Sequence, residues 1–260
     1  MIGARLETAK TLARAAGALI RGACDGSAGY ELKRNSTDLV TATDVAAESA
    51  IVSGIRAAFP DDAIVAEEQG GDADRSIVWY VDPLDGTTNF AHGFPVFAVS
   101  IAVVVEQRTE AGVVYLPVWD WLYSAARGEG AFCNGAPIHV SQTESLERSL
   151  LGTGFPYNRR EIADELLGRV ARAFAHSQGI RRAGAASVDL CFVASGQLDG
   201  YWEQNLAPWD WAAGALIVEE AGGRISDFEG APFCLGGRTL CASNGRIHDQ
   251  LVSRITACVA

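Results

Sequence analysis

The chain has 260 residues, 48% of them apolar, and its 21 basic against 32 acidic residues leave a formal net charge of −11. That length allows one large domain or two smaller halves, either able to bury a substantial core, and the composition is that of a soluble globular chain. With no basic patch or tail in view, nucleic acid and anionic membrane are excluded as default partners.

The first 26 residues alternate basic with apolar residues, and the longest uncharged stretch, between Arg14 and Arg21, is too short for a signal-peptide core. Leu6, Ala9, Leu12, Ala13, Ala16 and Ile20 recur at helical spacing and predict a helix over 3–21. A second helix is predicted from "TATDVAAES", with Thr43 as cap and Val45, Val52, Ile55 and Phe59 as its inner stripe, ended by Phe59-Pro60. "AIVAEE" reads as a short strand ending in Glu67 and Glu68, and "SIVWYV" as a buried strand. "FAVSIAVVVEQ" and "AGVVYLPVWD" read as neighbouring strands with a turn near Thr109 to Gly112. "GEGAFCNGAPIHV" reads as a turn-rich strand pair.

Beyond residue 145 the texture changes. "ADELLGRVARAFAHS" is helical, "GIRRAG" a strand or loop, "SVDLCFVASGQ" a helix closed by Gly196, and "LDGYWEQ" a strand. "PWDWAAGALIVEEAGG" is a helix with Pro before its start and Gly-Gly after its end. The expected division is 1–145 as an α+β half and 146–260 as an αβα half. The six scattered cysteines form no C-x-x-C pair, which suits reduced thiols and a cytoplasmic location. No stretch approaches the roughly 20 apolar residues of a membrane helix.

Four acids fall at element ends: Glu67 after one strand, Asp82 and Asp85 after the next, and Asp210 at a helix start. Trp79 and Tyr80 precede the pair, and Trp209 and Trp211 flank Asp210. A carboxylate beside aromatics is costly to ionise unless a cation or strong donors compensate. Neither motif contains Arg or Lys, which points to a metal, and oxygen ligands without His or Cys favour Mg²⁺ or Mn²⁺ over zinc. A lone D-x-x-D or Glu-Glu is more commonly a capped turn or a solvated pair; only the acids taken together, with the "GTTN" that follows Asp85, carry the inference. That stretch has the composition of a helix start whose amides bind phosphate oxygens.

With "DLVTATD" (38–44), "EE" (67–68), "DPLDGTTNFAHGFP" (82–95), "GAFCNG" (130–135) and "WDWAAGALIVEEAGG" (209–223) in this order, the chain resembles the inositol monophosphatase family of magnesium-dependent, lithium-sensitive phosphatases. The resemblance runs through most of the chain. It implies a mixed α+β fold, a layered αβαβα sandwich like that of inositol monophosphatase and fructose-1,6-bisphosphatase. The first half would carry most metal ligands, the second Asp210 and the substrate pocket. It further implies that Glu67, Asp82 and the Leu84 carbonyl bind one Mg²⁺, and that Asp82, Asp85 and Asp210 bind a second. A third would sit beside Glu67, with Mn²⁺ able to substitute. Gly86 and Thr87 match phosphate contacts. Glu67 and a hydrogen-bonded Thr87–Asp44 pair would activate water, and Lys33 aligns with a lysine near the site. Glu203, together with Asp210 and the "GAAS" segment from Gly184 and Ala185, would select the substrate.

The implied activity is hydrolysis of myo-inositol monophosphates by metal-activated water, in a homodimer. Histidinol phosphate, fructose 1,6-bisphosphate and 3′-phosphoadenosine 5′-phosphate are alternative substrates. A non-catalytic role in binding transcription machinery is the alternative from another class. Phosphatases that form an aspartyl phosphate require D-x-D, whereas two residues separate Asp82 from Asp85. Asp189 is assigned no role. Trp119, Trp121 and Trp202 are expected in the core or an interface, and His92, His139, His176 and His248 outside the chemistry.

Overall fold

The computed structural model describes residues 2–24, 29–32 and 39–256. Helix α1 (Ile2–Gly22) buries Leu6, Ala9, Ala13, Ala16 and Ile20, the stripe its spacing predicted. A short antiparallel pair follows, β1 (Tyr30–Leu32) and β2 (Leu39–Thr41); Lys33 lies outside the described residues. Helix α2 (Ala42–Ala58) is capped by Thr41 rather than Thr43. The Thr41 hydroxyl accepts from the Asp44 amide at 3.3 Å while the Asp44 carboxylate accepts from the Thr41 amide at 2.8 Å, a reciprocal capping box. The inner line of α2 starts with Asp44 and Glu48 and continues through Ile51 and Ile55. Val45, expected on it, is 49% exposed.

Among the described residues the larger sheet has seven strands. They are β3 (Ala63–Ala66), β4 (Ile77–Asp85), β5 (Ala98–Val105), β6 (Arg108–Leu116), β7 (Trp121–Ala126), β8 (Gly130–Cys133) and β9 (Ala136–Pro137), paired in that order. Helix α3 (Thr87–Ala91) leaves the end of β4. The β5–β6 turn falls at Glu106 and Gln107, not at Thr109 to Gly112, which pair within β6. Both turn residues have positive φ, 47° and 67°. A two-residue hairpin of this twist favours Asn or Gly, so these side chains hide it from a composition-based reading. Strand β7 was not anticipated as a separate element.

The second half alternates. In chain order it runs β10 (Leu150–Thr153), α4 (Ala163–Phe174), β11 (Gly179–Arg181), α5 (Ala186–Ala194), β12 (Gly200–Gln204), α6 (Pro208–Glu220), β13 (Arg224–Ser226), β14 (Thr239–Ser243) and α7 (His248–Thr256). Pro208 occupies the first helical position of α6 rather than preceding it, where its missing N–H costs nothing. The smaller sheet has the order β11-β10-β12-β14-β13, with β10 parallel to both its neighbours.

The layers follow from which face each strand residue presents. On β5, Val99, Ile101 and Val103 join the core under α1 and α2, whereas Ala98, Ala102 and Val104 join the core under α5 and α6. That alternation of period two gives a sheet buried on both faces. On β12, Tyr201 turns to the same central helices and Trp202 to a third core shared with α4 and α7. The result is the expected αβαβα sandwich: α1/α2, seven-stranded sheet, α5/α6, five-stranded sheet, α4/α7. Small residues let the layers close. A Cβ on Gly112 of β6 would stand 2.8 Å from the Ala213 carbonyl of α6. Among the described residues, the cysteines at 24, 133, 191, 234 and 241 are free, and no helix is long and apolar enough to cross a membrane.

Candidate active site

Strand β4 delivers Asp82 and Asp85 through a break in its pairing with β5 between those two residues. The Leu84 amide donates to Asp82 Oδ1 at 2.9 Å. Gly86 then turns the chain at φ 94°, where an added Cβ would stand 2.8 Å from the Val96 carbonyl. Only glycine fits so close a left-handed turn, and it opens α3 with Thr87. The Thr87 hydroxyl lies 3.1 Å from both Asp44 Oδ1 and the Leu84 carbonyl. A hydroxyl has one proton, so it serves one of these acceptors at a time.

The other acids arrive from separate elements. Glu67 sits on the turn after β3, with its amide donating to the Val81 carbonyl at 3.1 Å. Asp210 lies in the first turn of α6, its Oδ2 accepting from the Ala207 amide at 2.7 Å. Glu203 on β12 is buried and accepts from the Tyr201 hydroxyl. Glu67, Asp85, Gly86, Thr87, Gly184, Ala185, Glu203 and Asp210 line one cavity of about 560 Å³, along with Arg159, Arg182 and Arg238. Asp44, Asp82 and Leu84 are buried outside that lining.

The acids perturb one another. Burial, then the charges of Glu67, Asp85 and Asp210, push Asp82 well above the usual carboxylate range. Burial, then Asp85 and Glu67, does the same to Asp210. Burial lifts Asp85 to about 6, against the pull of its bonds to Ser187. Glu203 is raised to about 7, again chiefly by burial, and Asp44 is raised by burial although bonds from Thr41 oppose it. Among the described residues, no three Asp, Glu, His or Cys side chains close on one point as a finished metal cage. Asp82, Asp85 and Asp210 each have one oxygen turned to an N–H group. The donor chemistry still fits a hard divalent ion, because carboxylates that raise one another's pKa lack a neutralising cation and offer oxygen alone.

Several side-chain contacts that hold this arrangement escaped the sequence reading. The Ser187 amide and hydroxyl, in the first turn of α5, donate to Asp85 Oδ2 at 2.7 and 2.6 Å. Buried Glu48 accepts from the Glu68 and Gln69 amides at 2.7 and 2.8 Å and fixes the turn that carries Glu67. Asn89 Nδ2 donates to the Val96 and Ala183 carbonyls at 2.6 and 2.8 Å, tying α3 to the segment ahead of Gly184. The Ser100 hydroxyl donates to the Trp209 carbonyl at 3.0 Å and anchors the start of α6 to β5. Only Glu48 had a usable signal, its four-residue spacing from Asp44 along one helix face. Asp189, assigned no role, is buried with neither carboxyl oxygen hydrogen-bonded, and burial raises its pKa well above normal. His248 is buried far along the chain between the Ser226 and Ser243 hydroxyls at 2.8 and 2.9 Å, a packing role.

A family model described as "Inositol monophosphatase family" matches residues 4–260. The "Inositol-1-monophosphatase" of Synechocystis is 44% identical over 254 residues, spanning 97% of this chain and 88% of that protein. The "Nus factor SuhB" of Pseudomonas aeruginosa is 45% identical over 229 residues, spanning 86% and 84%. Among solved structures, the inositol monophosphatase of Anabaena superposes with a TM-score of 0.90 at 40% identity, covering 98% of this chain and 96% of that one. The Thermotoga maritima IMPase gives 0.90 at 36% identity and 96% coverage of both chains.

Proposed function

The chain belongs to the inositol monophosphatase family, and from that premise we propose that it is a magnesium-dependent phosphatase that hydrolyses myo-inositol monophosphates to inositol and phosphate. The observation that carries the reading is that Glu67, Asp85 and Asp210 line one cavity with Gly86 and Thr87, while their charges all act on Asp82, buried just behind it. Glu67, Asp82, Asp85, Asp210 and the Leu84 carbonyl would hold two or three Mg²⁺ ions, or Mn²⁺. Bound there, the ions would supply Lewis acidity to the phosphoryl oxygens and lower the pKa of water.

The chain's own groups have separate tasks. Glu67 and the Thr87–Asp44 pair would take a proton from the attacking water. Gly86 and Thr87, at the start of α3, would orient the phosphate with backbone N–H groups left free by the helix. The water oxygen bonds to phosphorus as the ester P–O bond breaks, and the departing inositol oxygen leaves with a proton. No side chain need carry the phosphoryl group. Glu203, fixed by Tyr201, would accept from inositol hydroxyls near Gly184 and Ala185.

Purified protein with Mg²⁺ is expected to release phosphate from inositol 1-phosphate, to stop with EDTA and to be inhibited by lithium. Silence on inositol 1-phosphate, histidinol phosphate, fructose 1,6-bisphosphate and 3′-phosphoadenosine 5′-phosphate would overturn the proposal. A homodimer and a cytoplasmic location are part of the same reading, the first testable by light scattering. The relatives named Nus factor favour a second role, in transcription. Asp85→Asn separates the two, since it should end turnover and leave any surface-borne role intact.

A further inference from the structure

Strand β10 presents one face without side chains. Leu151 turns to the core shared with α4 and α7, so the alternate positions, Gly152 and Gly154, turn to the central helices. Neither glycine has a positive φ, so the backbone would accept any residue there, and space is what excludes one. A Cβ on Gly152 would stand 2.9 Å from Leu198 Cδ1 and 3.2 Å from both Tyr201 Cδ2 and Asp189 Oδ1. A Cβ on Gly154 would overlap the carboxyl carbon and both carboxyl oxygens of Glu203. The parallel register explains the match. Gly152 lies beside Tyr201 of β12, which puts Gly154 beside Glu203 two residues further on.

The cleared face gives Glu203 a seat. Its carboxylate lies against the β10 backbone at Gly154, takes a hydrogen bond from the Tyr201 hydroxyl and still lines the cavity, as Gly154 does. Asp189 faces the same strip without adding a charge, because burial, then the charge of Glu203, holds its pKa well above the usual carboxylate range. A carboxylate fixed in this way accepts hydroxyls at defined positions. Displacing such a group by about 1 Å can cost about 100-fold in rate. The atoms that a methyl at position 154 would meet are the far end of a long side chain. The strand would therefore stay in place and the carboxylate would move.

We propose that Gly154 is a specificity-determining residue: having no side chain, it fixes the Glu203 carboxylate where it selects phosphate esters whose leaving group is a polyol. That selection rests on the phosphatase reading above; the seat does not. The first test compares inositol 1-phosphate in Mg²⁺ with p-nitrophenyl phosphate, whose leaving group carries no further hydroxyl. In Gly154→Ala the ratio of kcat/KM for inositol 1-phosphate over p-nitrophenyl phosphate should fall at least about tenfold, mainly through the KM of inositol 1-phosphate. In a Glu203→Ala background no carboxylate is left to displace, and the same substitution should change the ratio less than about twofold. A strand that merely packed badly would lose both substrates alike in either background.

The second test needs no turnover. In EDTA, Gly154→Ala should lower the melting temperature of the otherwise wild-type protein by a few degrees, because the displaced carboxylate leaves Tyr201. It should not lower it in the Glu203→Ala background. If Gly154→Ala alone does not fold, recovery of folded protein in the double variant supports the seat, and a double variant that also fails to fold overturns it. An unchanged substrate ratio, or an equal loss in both backgrounds, overturns the proposal. Coupled melting temperatures without phosphate release from any ester would keep the seat and sink the phosphatase reading instead.

Discussion

Replacing Asp210 by Asn keeps the acceptor for the Ala207 amide and removes one charge from a buried acidic group. Turnover is expected to vanish, because the cation site loses a ligand charge. The melting temperature in EDTA is expected to rise, because the remaining acids repel less. Wild-type rates, or a fall in that melting temperature, would contradict the assignment. Ser187 acts one bond further out. Ser187→Ala removes the 2.6 Å hydroxyl bond to Asp85 but leaves the amide bond. Partners of this kind tune metal affinity by about 10–100-fold, so the Mg²⁺ concentration for half-maximal activity should rise about tenfold, with Ser187→Thr restoring it. An unchanged Mg²⁺ midpoint would reduce Ser187 to a helix cap. The acids themselves were legible in the sequence because aromatic neighbours made them expensive. Ser187 was reached only as the last residue of the "GAAS" segment; its bond to Asp85, 102 positions away, has no local mark.

Among the elements, α6 bears directly on the site, because it carries Asp210 and lies on β6 where Gly112 faces Ala213. Gly112→Ala should push the helix outward, costing about 1–3 kcal/mol by overpacking and lowering activity with stability. Chemical denaturation and the rate on inositol 1-phosphate would check both, and full activity at unchanged stability would refute the contact. Helices and buried strands were legible wherever apolar periodicity ran long, as in α1 and β4. The misses have physical reasons. The Glu106–Gln107 turn lacks the residues that usually mark positive φ. The line of α2 begins with Asp44 and Glu48 because both buried carboxylates are satisfied by partners within the fold, Asp44 by Thr41 and Thr87 and Glu48 by the Glu68 and Gln69 amides. Short strands such as β13 depend on pairing with distant partners such as β14, which no local pattern encodes. Arg159, Arg182 and Arg238 are brought to the cavity by topology in the same way.

Across the whole molecule, buried acids link folding to pH. The folded chain holds Asp85 at about 6 and Glu203 at about 7, with Asp82 and Asp210 also raised. The unfolded chain binds fewer protons at these sites, so stability declines as pH rises through the raised values. His248 has the opposite sign. Burial lowers it from 6.5 to about 4, so its contribution is lost as pH falls through that interval. In EDTA the melting temperature is therefore expected to climb as pH falls from about 8 towards 5, four raised acids outweighing His248, which only slows the climb below about pH 6.5. Added Mg²⁺ should raise it more at about pH 8 than at pH 6, since the ion must displace protons. Calorimetric scans with and without the ion would check both signs, and a pH-independent gain would contradict them. Asp85, held by the first turn of α5 at one edge and rooted in β4 at the other, has a consequence for regulation. On the proposed metal reading, anything that slides the middle helical tier by a fraction of an ångström would detune that carboxylate, and ion occupancy would become a gauge of how well the tiers are seated.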